Sequence, residues 1–345
     1  MTPSRRAANS SAARRKARLV RAYLARLPVW CAWQVTYRCN FRCRICSYWQ
    51  ERHPPEEELM VADFARGAAN LARAGSLLVN LAGGEPMLRP DLPEIVAALA
   101  RWHFVFVTTN GWRVGQDLAR RLWDAGLWGV SVSLDYPDAA RHDGQRGRSG
   151  AFDEAVRAIE VFRDTRTRPD QRVNLMAVLT ADNQGDLEAV ADLARRLRVQ
   201  FMVQPYGILK TGDPQHRPRP PLAERLLDIK RRLGGTFLSN PYFLSRFDAA
   251  LDGGVARCRA GLSTFNIDQK GLVAKCVEDR SMPVGSIVRA PMPILVERLR
   301  KRWRANRCRQ CWYNCRGEVE ALYTLRGLVA ALPMLVAKDA ALAGP

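Results

Sequence analysis

The stretch Cys39-Asn-Phe-Arg-Cys43-Arg-Ile-Cys46 places three thiols within eight residues. It follows directly on residues 30–36, an apolar run that predicts a buried strand, so the thiols lie in a loop at the C-terminal end of that strand. Three neighbouring thiolates can each bind one iron of a cubane, which leaves the fourth iron without a protein ligand. Zinc more often takes paired Cys-x-x-Cys units with four ligands and is the weaker interpretation. The spacing therefore predicts a [4Fe–4S] cluster with one open iron.

Strand-like and helix-like runs alternate from this loop onward. Apolar, β-rich runs recur six times, and a segment with helical spacing or a polar connection follows each one. This alternation predicts an α/β fold in which a parallel sheet curls into a partial (β/α)6 TIM-like barrel, with the chemistry at the C-terminal ends of its strands. The six predicted strands are 30–36, 77–82, 104–108, 129–134, 173–179 and 201–205.

Polar segments end three of these strands. Gly83-Gly84-Glu85-Pro86 ends the second, Thr108-Thr109-Asn110-Gly111 ends the third and Ser131-Val-Ser133-Leu-Asp135 ends the fourth. Together with the cysteine triad, they resemble the radical S-adenosylmethionine (SAM) superfamily over about positions 30 to 210. The tetrapeptide alone would be an ordinary tight turn, and its place after a cysteine triad makes the resemblance specific.

The resemblance implies where SAM binds. Gly83 and Gly84 would let the backbone come close to the methionine amino group, which the nearby carboxylate of Glu85 suits. The other expected cofactor contacts are Ile45 near the adenine, Thr108 and Asn110 near the ribose or substrate, Ser133 at the ribose, and Gln204 at the end of the sixth strand. The implied chemistry is reductive cleavage of SAM to a 5′-deoxyadenosyl radical that abstracts a substrate hydrogen atom.

A second group of cysteines follows a proline-rich break at residues 214–221. Cys258 and Cys276 flank a run that predicts a β-hairpin, with its turn near Asp268 to Gly271. Cys308, Cys311 and Cys315 follow further along the chain. The spacing indicates a four-ligand metal site, and zinc fits it as well as an iron–sulfur cluster does.

This group resembles the twitch domain, a shortened SPASM domain that holds an auxiliary [4Fe–4S] cluster in many radical SAM enzymes. The resemblance implies that Cys258, Cys276, Cys308 and Cys311 hold the cluster, while Cys315 is surplus or replaces Cys311. The fold would then end in a small C-terminal α+β iron–sulfur domain. The remaining cysteine, Cys31, lies on the first strand and is expected to be a buried apolar thiol.

Glu278 and Asp279 are the candidate catalytic acids of this region. In SPASM enzymes that oxidise peptides, an acid directly after the matching cysteine acts as general base. Val277 occupies that position here, so the alternative that both acids are solvated loop residues stays open.

The chain is strongly basic, with a formal net charge of +20. This favours acidic partners: an electron donor such as flavodoxin or ferredoxin, or an anionic membrane surface reached through the basic N-terminus. Nucleic acid is the weaker alternative because no RNA-binding module is visible. The sequence contains no signal peptide and no apolar run of about 18 residues, so a cytoplasmic, peripherally membrane-associated location is compatible with it.

The expected organisation follows from these features. The predicted segments are a basic N-terminal extension (1–27), the radical SAM partial barrel (28–213), a Pro-rich linker and helix (214–254), the auxiliary-cluster domain (255–317) and a C-terminal helix (318–345).

The leading functional hypothesis is an oxidoreductase or maturase that acts on a peptide, with the auxiliary cluster taking an electron from the substrate radical. The alternatives are a dehydrogenase or epimerase of a sugar or aminocyclitol, and an RNA- or lipid-modifying radical SAM enzyme. The four-cysteine spacing fits the sugar or aminocyclitol alternative at least as well as the peptide hypothesis, and the sequence does not identify the substrate.

Overall fold

A computed structural model of the chain describes residues 3–336. Its strands form one nine-stranded sheet in the order β6-β5-β4-β3-β2-β1-β7-β8-β9. The strands are β1 Trp30–Thr36, β2 Leu78–Gly83, β3 Phe104–Thr109, β4 Gly129–Ser133, β5 Arg172–Leu179, β6 Gln200–Pro205, β7 Thr264–Ile267, β8 Leu272–Ala274 and β9 Gly285–Ser286.

Strands β1 to β6 are parallel neighbours in chain order, which confirms the predicted partial barrel. Helices cover the outer face of the sheet, and their apolar side chains are fully buried against it, as at Phe64, Leu99 and Phe162. The helices are α1 Pro3–Leu24, α2 Val61–Leu71, α3 Leu92–Ala100, α4 Gln116–Asp124, α5 Ala139–Arg146, α6 Ala151–Asp164, α7 Leu187–Arg196, α8 Ala223–Leu233, α9 Pro241–Leu244, α10 Phe247–Asp252, α11 Met292–Arg304, α12 Asn314–Ala321 and α13 Leu325–Val336.

The predicted hairpin continues the barrel sheet. Strands β7 and β8 pair antiparallel around a turn in which Gly271 has a φ of +78°, a conformation that favours glycine. Strand β7 also pairs in parallel with β1, with Trp30 opposite Thr264 and Trp33 opposite Ile267. The cysteines that flank the hairpin are therefore brought to the same sheet as the N-terminal cysteine loop.

The basic N-terminal extension is helical from Pro3 to Leu24. Ala22 is buried, and the guanidinium groups of Arg15 and Arg18 donate to carbonyl oxygens at the ends of α3 and α2. The hydroxyl of Tyr23 donates to the carbonyl of Leu322 at 2.5 Å. This helix therefore packs on the barrel and on the segment that joins α12 to α13.

The Pro-rich segment contains the three short helices α8 to α10, and Phe243 and Phe247 from these helices are buried. The predicted C-terminal helix corresponds to α12 and α13 as far as residue 336, and its last part, 337–345, lies outside the described residues. Within the described residues, no helix combines the length and the apolar character needed to cross a membrane.

Candidate functional site

The first cysteine group lies in the loop after β1, at the C-terminal end of the barrel strands. Cys39, Cys43 and Cys46 line one cavity of about 560 Å³. Burial, together with the nearby Glu85, Cys43 and Cys46, raises the pKa of the Cys39 thiol to about 12, although a hydrogen bond from the Phe41 amide lowers it. Burial favours the neutral, protonated thiol, whereas a metal ligand must be the deprotonated thiolate. A metal group bound here would therefore replace the protons of these thiols.

The Gly-Gly-Glu-Pro turn is fastened to the start of the cysteine loop. The amide of Gly84 donates to the carbonyl of Thr36 at 2.8 Å, and the amide of Glu85 donates to that of Arg38 at 2.9 Å. A Cβ atom would lie 1.9 Å from the Thr36 oxygen at position 83 and 2.2 Å from the Arg38 oxygen at position 84. Glycines are thus required here by the close approach of two backbones.

Glu85 is buried, and three protein groups already donate to its carboxylate. These are the amide of Met87 at 2.9 Å, the Thr109 hydroxyl at 2.7 Å and the amide of Asn110 at 2.7 Å. Burial raises the pKa of Glu85 although these bonds lower it. The carboxylate thereby joins the ends of β2 and β3, and it also lines the cavity.

The other expected cofactor contacts all line this same cavity. The Thr108 hydroxyl donates to Asn80 at 3.0 Å, and Gln204 lies 3.5 Å from the amide of Asn314. The side chain of Asn110 donates to Asn40 within the cysteine loop at 2.9 Å. The set that the structure brings together comprises Ile45, Gly83, Gly84, Glu85, Thr108, Asn110, Ser133 and Gln204.

Arg146 is a site residue that the sequence analysis missed. It ends α5, is 8% exposed and lines the cavity beside Cys43. Its guanidinium forms an ion pair with the fully buried Asp135 at 2.7 Å. Burial lowers the pKa of Arg146, but Asp135 and the thiols of Cys43 and Cys46 outweigh burial and hold it above its usual range. A permanent positive charge therefore stands next to the cysteine loop.

Two members of the second cysteine group lie at the same cavity as the first group. Cys276 and Cys315 line it. Asn306 ties two other members together, since its side chain donates to the Cys258 carbonyl at 3.4 Å and accepts from the Cys308 amide at 3.2 Å. Burial raises the pKa of Cys276 to about 11.

Both donor sets consist of thiols, and thiolates are the ligands of iron–sulfur clusters. In the described part of the chain, no three His, Cys, Asp or Glu side chains are placed as the ligands of one metal ion would be. All nine cysteines are free thiols, so each candidate ligand is available.

The two candidate acids have different surroundings. Glu278 Oε1 lies 3.0 Å from Nζ of Lys210, a cavity-lining residue that also donates to the Tyr48 hydroxyl at 2.9 Å. Asp279 instead pairs with Lys275 at 2.7 Å. Cys31 is completely buried on β1, and burial raises its pKa well above the usual range.

Comparison with known proteins matches residues 33–194 to the Radical SAM superfamily. The mycofactocin maturase MftC of Mycobacterium ulcerans is 29% identical over 325 residues, which cover 87% of this chain and 85% of the relative. The GTP 3′,8-cyclase of Acidothermus cellulolyticus is 37% identical over 171 residues, which cover 47% of this chain and 46% of the cyclase. The chain thus spans less than half the length of the second relative.

Solved structures share the fold. Streptococcus suis SuiB bound to its precursor peptide SuiA has a TM-score of 0.64 and 15% identity, covering 90% of this chain and 76% of SuiB. The anSMEcpe enzyme with bound AdoMet and a peptide has a TM-score of 0.57 and 18% identity, covering 79% of this chain and 82% of that chain. The motif-bearing barrel and these comparisons lead to one conclusion: residues 33–194 of this chain are similar to the radical SAM domain.

Proposed function

We propose that this protein uses SAM and the cluster held by Cys39, Cys43 and Cys46 to abstract a hydrogen atom from a peptide, and that an auxiliary cluster then takes an electron from the substrate. The observation that carries the proposal is one shared cavity, lined by the first cysteine group and by Cys276 and Cys315 of the second. A substrate in this cavity would lie between both metal-binding regions.

When bound, SAM and its cluster supply a 5′-deoxyadenosyl radical. The protein's own part is to orient SAM and exclude water. The Gly83-Gly84 turn exposes backbone groups close to the cysteine loop, and Arg146 provides a buried positive charge that suits a carboxylate. Ser133 and Gln204 contribute polar atoms on the facing strands of the cavity.

Glu278 is the better candidate of the two acids for accepting a proton as the substrate loses an electron. Its carboxylate meets the ammonium of Lys210, which lines the cavity, and Lys210 contacts Tyr48 in turn. Tyr48 and Lys210 thus link the carboxylate of Glu278 to the wall of the cavity. Asp279 pairs with Lys275, which does not line the cavity, and is therefore the weaker candidate.

A peptide is the preferred substrate class. A cavity of about 560 Å³ must hold SAM and the reacting part of the substrate, so a longer substrate would keep most of its length outside. SuiB and anSMEcpe, which share the fold, were solved with peptides bound. The GTP cyclase similarity covers only 47% of this chain.

Deuterium transfer tests both the chemistry and the substrate class. The reconstituted, dithionite-reduced protein is incubated with SAM and either a perdeuterated peptide digest or a perdeuterated sugar mixture. We expect deuterium in 5′-deoxyadenosine only with the peptides. Enrichment from the sugars alone would overturn the peptide assignment.

Two cysteine variants serve as a matched pair. Cys43→Ala should lose SAM cleavage, whereas Cys31→Ala, which removes a buried thiol outside the cavity lining, should retain it. Cleavage of SAM by Cys43→Ala at the normal rate would refute the role given to the triad.

A further inference from the structure

The end of α11 and the loop after it carry an unusual concentration of positive charge. The stretch Arg298-Leu-Arg-Lys-Arg-Trp-Arg-Ala-Asn-Arg-Cys-Arg309 contains seven basic residues and no acidic one. We call residues 298–309 the basic face. The side chains of Arg302, Arg304 and Arg307 are exposed on it.

Most of this charge is not neutralised within the protein. Of the seven cations, only Lys301 has an ion pair among the described residues, with Glu297 at 3.0 Å. Arg298 donates to the carbonyl of Val284 at 2.9 Å, and Arg307 donates to that of Arg304 at 3.0 Å. Carbonyl groups do not cancel a unit charge, so the basic face has a positive potential available to a partner.

The basic face adjoins the second cysteine group. Asn306, within the face, bonds the backbone of both Cys258 and Cys308. The carbonyl of Arg309 accepts from the amide of Val255 at 3.2 Å, next to the segment that leads to Cys258. Cys276 and Cys315 line the cavity, whereas Cys308 lies between the exposed Arg307 and Arg309. A cluster bound here would thus have one side toward the cavity and one toward the basic face.

The surroundings favour a protein partner over a membrane or a nucleic acid. The apolar residues Leu295 and Leu299 of α11 are fully buried, and the exposed Ile294 alone does not make an apolar stripe that could insert into a bilayer beside the charges. Trp303 is the one aromatic residue of the face and is half-buried, which leaves no exposed stacking platform for bases.

We infer that the basic face is the docking site of an acidic one-electron carrier of the flavodoxin or ferredoxin class. This rests on the proposed auxiliary cluster. One electron passes between the carrier and the metal group that the neighbouring cysteines would hold. A carrier that accepts the electron oxidises the metal group, and a carrier that donates it reduces the metal group. Charge complementarity sets the orientation that brings the carrier's redox centre beside Cys308.

Matched charge reversals test this docking site. The first variant combines Arg302→Glu, Arg304→Glu and Arg307→Glu. The control combines Arg120→Glu, Arg195→Glu and Arg196→Glu, which are exposed on α4 and α7, and it changes the net charge by the same amount. Binding of purified flavodoxin and of a [4Fe–4S] ferredoxin is measured by biolayer interferometry at low and moderate salt.

We expect the first variant to lose at least about tenfold in affinity for a carrier at low salt, and the control to change by less than about twofold. Iron content and dithionite-driven SAM cleavage should be unchanged in both variants, while carrier-driven turnover falls only in the first. Equal losses in the two variants would show that net charge alone governs binding and would overturn the assignment.

Two further measurements distinguish a carrier-docking site from a nucleic-acid or membrane site, and from the proposed auxiliary-cluster function. A selective loss of binding to tRNA, or to vesicles of equal parts phosphatidylglycerol and phosphatidylcholine, with carrier binding unchanged, would also overturn it. The binding assay does not depend on turnover. If carriers bind the basic face normally but a Cys258→Ala, Cys276→Ala variant retains full substrate oxidation, the auxiliary-cluster function fails while the docking site stands.

Discussion

The guanidinium of Arg280 donates two hydrogen bonds to the carboxylate of Glu51, at 2.6 and 2.9 Å, and so joins the segment after Cys46 to the segment after Cys276. Arg280 also lies over the rings of Tyr37 and Tyr48, at 4.8 and 5.2 Å from their centroids. The loop that holds the first cysteine group and the segment after Cys276 are therefore held together by side chains.

Arg280→Gln should lower the free energy of unfolding by about 1 kcal/mol, since it removes a two-bonded ion pair and two cation–π contacts. Arg66→Gln is the control, because Arg66 pairs with Asp63 on an exposed helix surface and should change stability by less than about 0.5 kcal/mol. Urea denaturation midpoints compare the two. Equal effects would mean that the Arg280 contacts contribute no more than a surface pair.

Gly84→Ala should sharply reduce the iron content after reconstitution, because its Cβ would meet the Arg38 carbonyl at 2.2 Å and displace the turn from the cysteine loop. Gly144→Ala is the matched control. Gly144 lies in α5 with nothing within 4 Å of an added Cβ, so this change should stabilise the protein by about 0.5–1 kcal/mol. Normal iron content in Gly84→Ala would contradict the close-approach argument.

Arg146→Gln should cost about 3 kcal/mol of stability, because it leaves the buried carboxylate of Asp135 without its cation. Adding Asp135→Asn should recover much of that loss, since the double variant contains no buried unpaired charge. Chemical denaturation of the two single variants and the double variant gives the coupling energy. Additive losses would show that the two side chains do not stabilise each other.

Glu318 gives a pH-dependent prediction. Burial raises the pKa of this carboxyl from 4.5 to about 7, although bonds from Asn240 and the charge of Lys230 lower it. Between these pH values the folded chain binds a proton that the unfolded chain has lost, so stability falls as pH rises and levels off above about pH 7. The total effect is on the order of 3 kcal/mol.

Glu318→Gln should remove that contribution. The difference in unfolding free energy between this variant and the natural chain should therefore grow in favour of the variant from about pH 5 to pH 7. Denaturation curves at several pH values measure it. A difference that is constant with pH would show that Glu318 does not titrate in this range.

Glu278→Gln should reduce substrate oxidation by about 10²-fold or more while SAM cleavage continues, because proton acceptance is lost but the first cysteine group is untouched. Asp279→Asn is the control, since Asp279 pairs with Lys275 instead of the cavity-lining Lys210. The ratio of oxidised product to 5′-deoxyadenosine is the readout. A larger effect of Asp279→Asn would reverse the assignment of the base.

The sequence predicted the barrel well because its strands are continuous apolar runs separated by helical spacing and turn residues. The six predicted strands agree with the observed ones to within two residues at either end, and the hairpin near Asp268 to Gly271 forms as expected. Such elements depend on local pattern, which is visible in a single chain.

Features that depend on distant contacts were not visible. Helix α5 has few apolar residues, so its periodicity gave no signal, and Arg146 at its end was missed. Lys210 follows the sixth strand as one of 54 basic residues, and only the fold places it 3.0 Å from Glu278. The adjacency of Glu278 and Asp279 was equally uninformative, because Glu278 pairs with the distant Lys210 whereas Asp279 pairs with Lys275, four residues before it.

The parallel pairing of β7 with β1 has a consequence for how the chain acquires its structure. The edge of β1, near residue 30, stays open until residues 264–267 arrive, more than two hundred residues later. Contacts of such long sequence separation form slowly, because the conformational entropy of closing a large loop is lost before the strand pairing contributes stabilising free energy. A ribosome-bound barrel half would therefore expose an unpaired strand edge, which makes folding intermediates of this protein targets for chaperones and prone to aggregation.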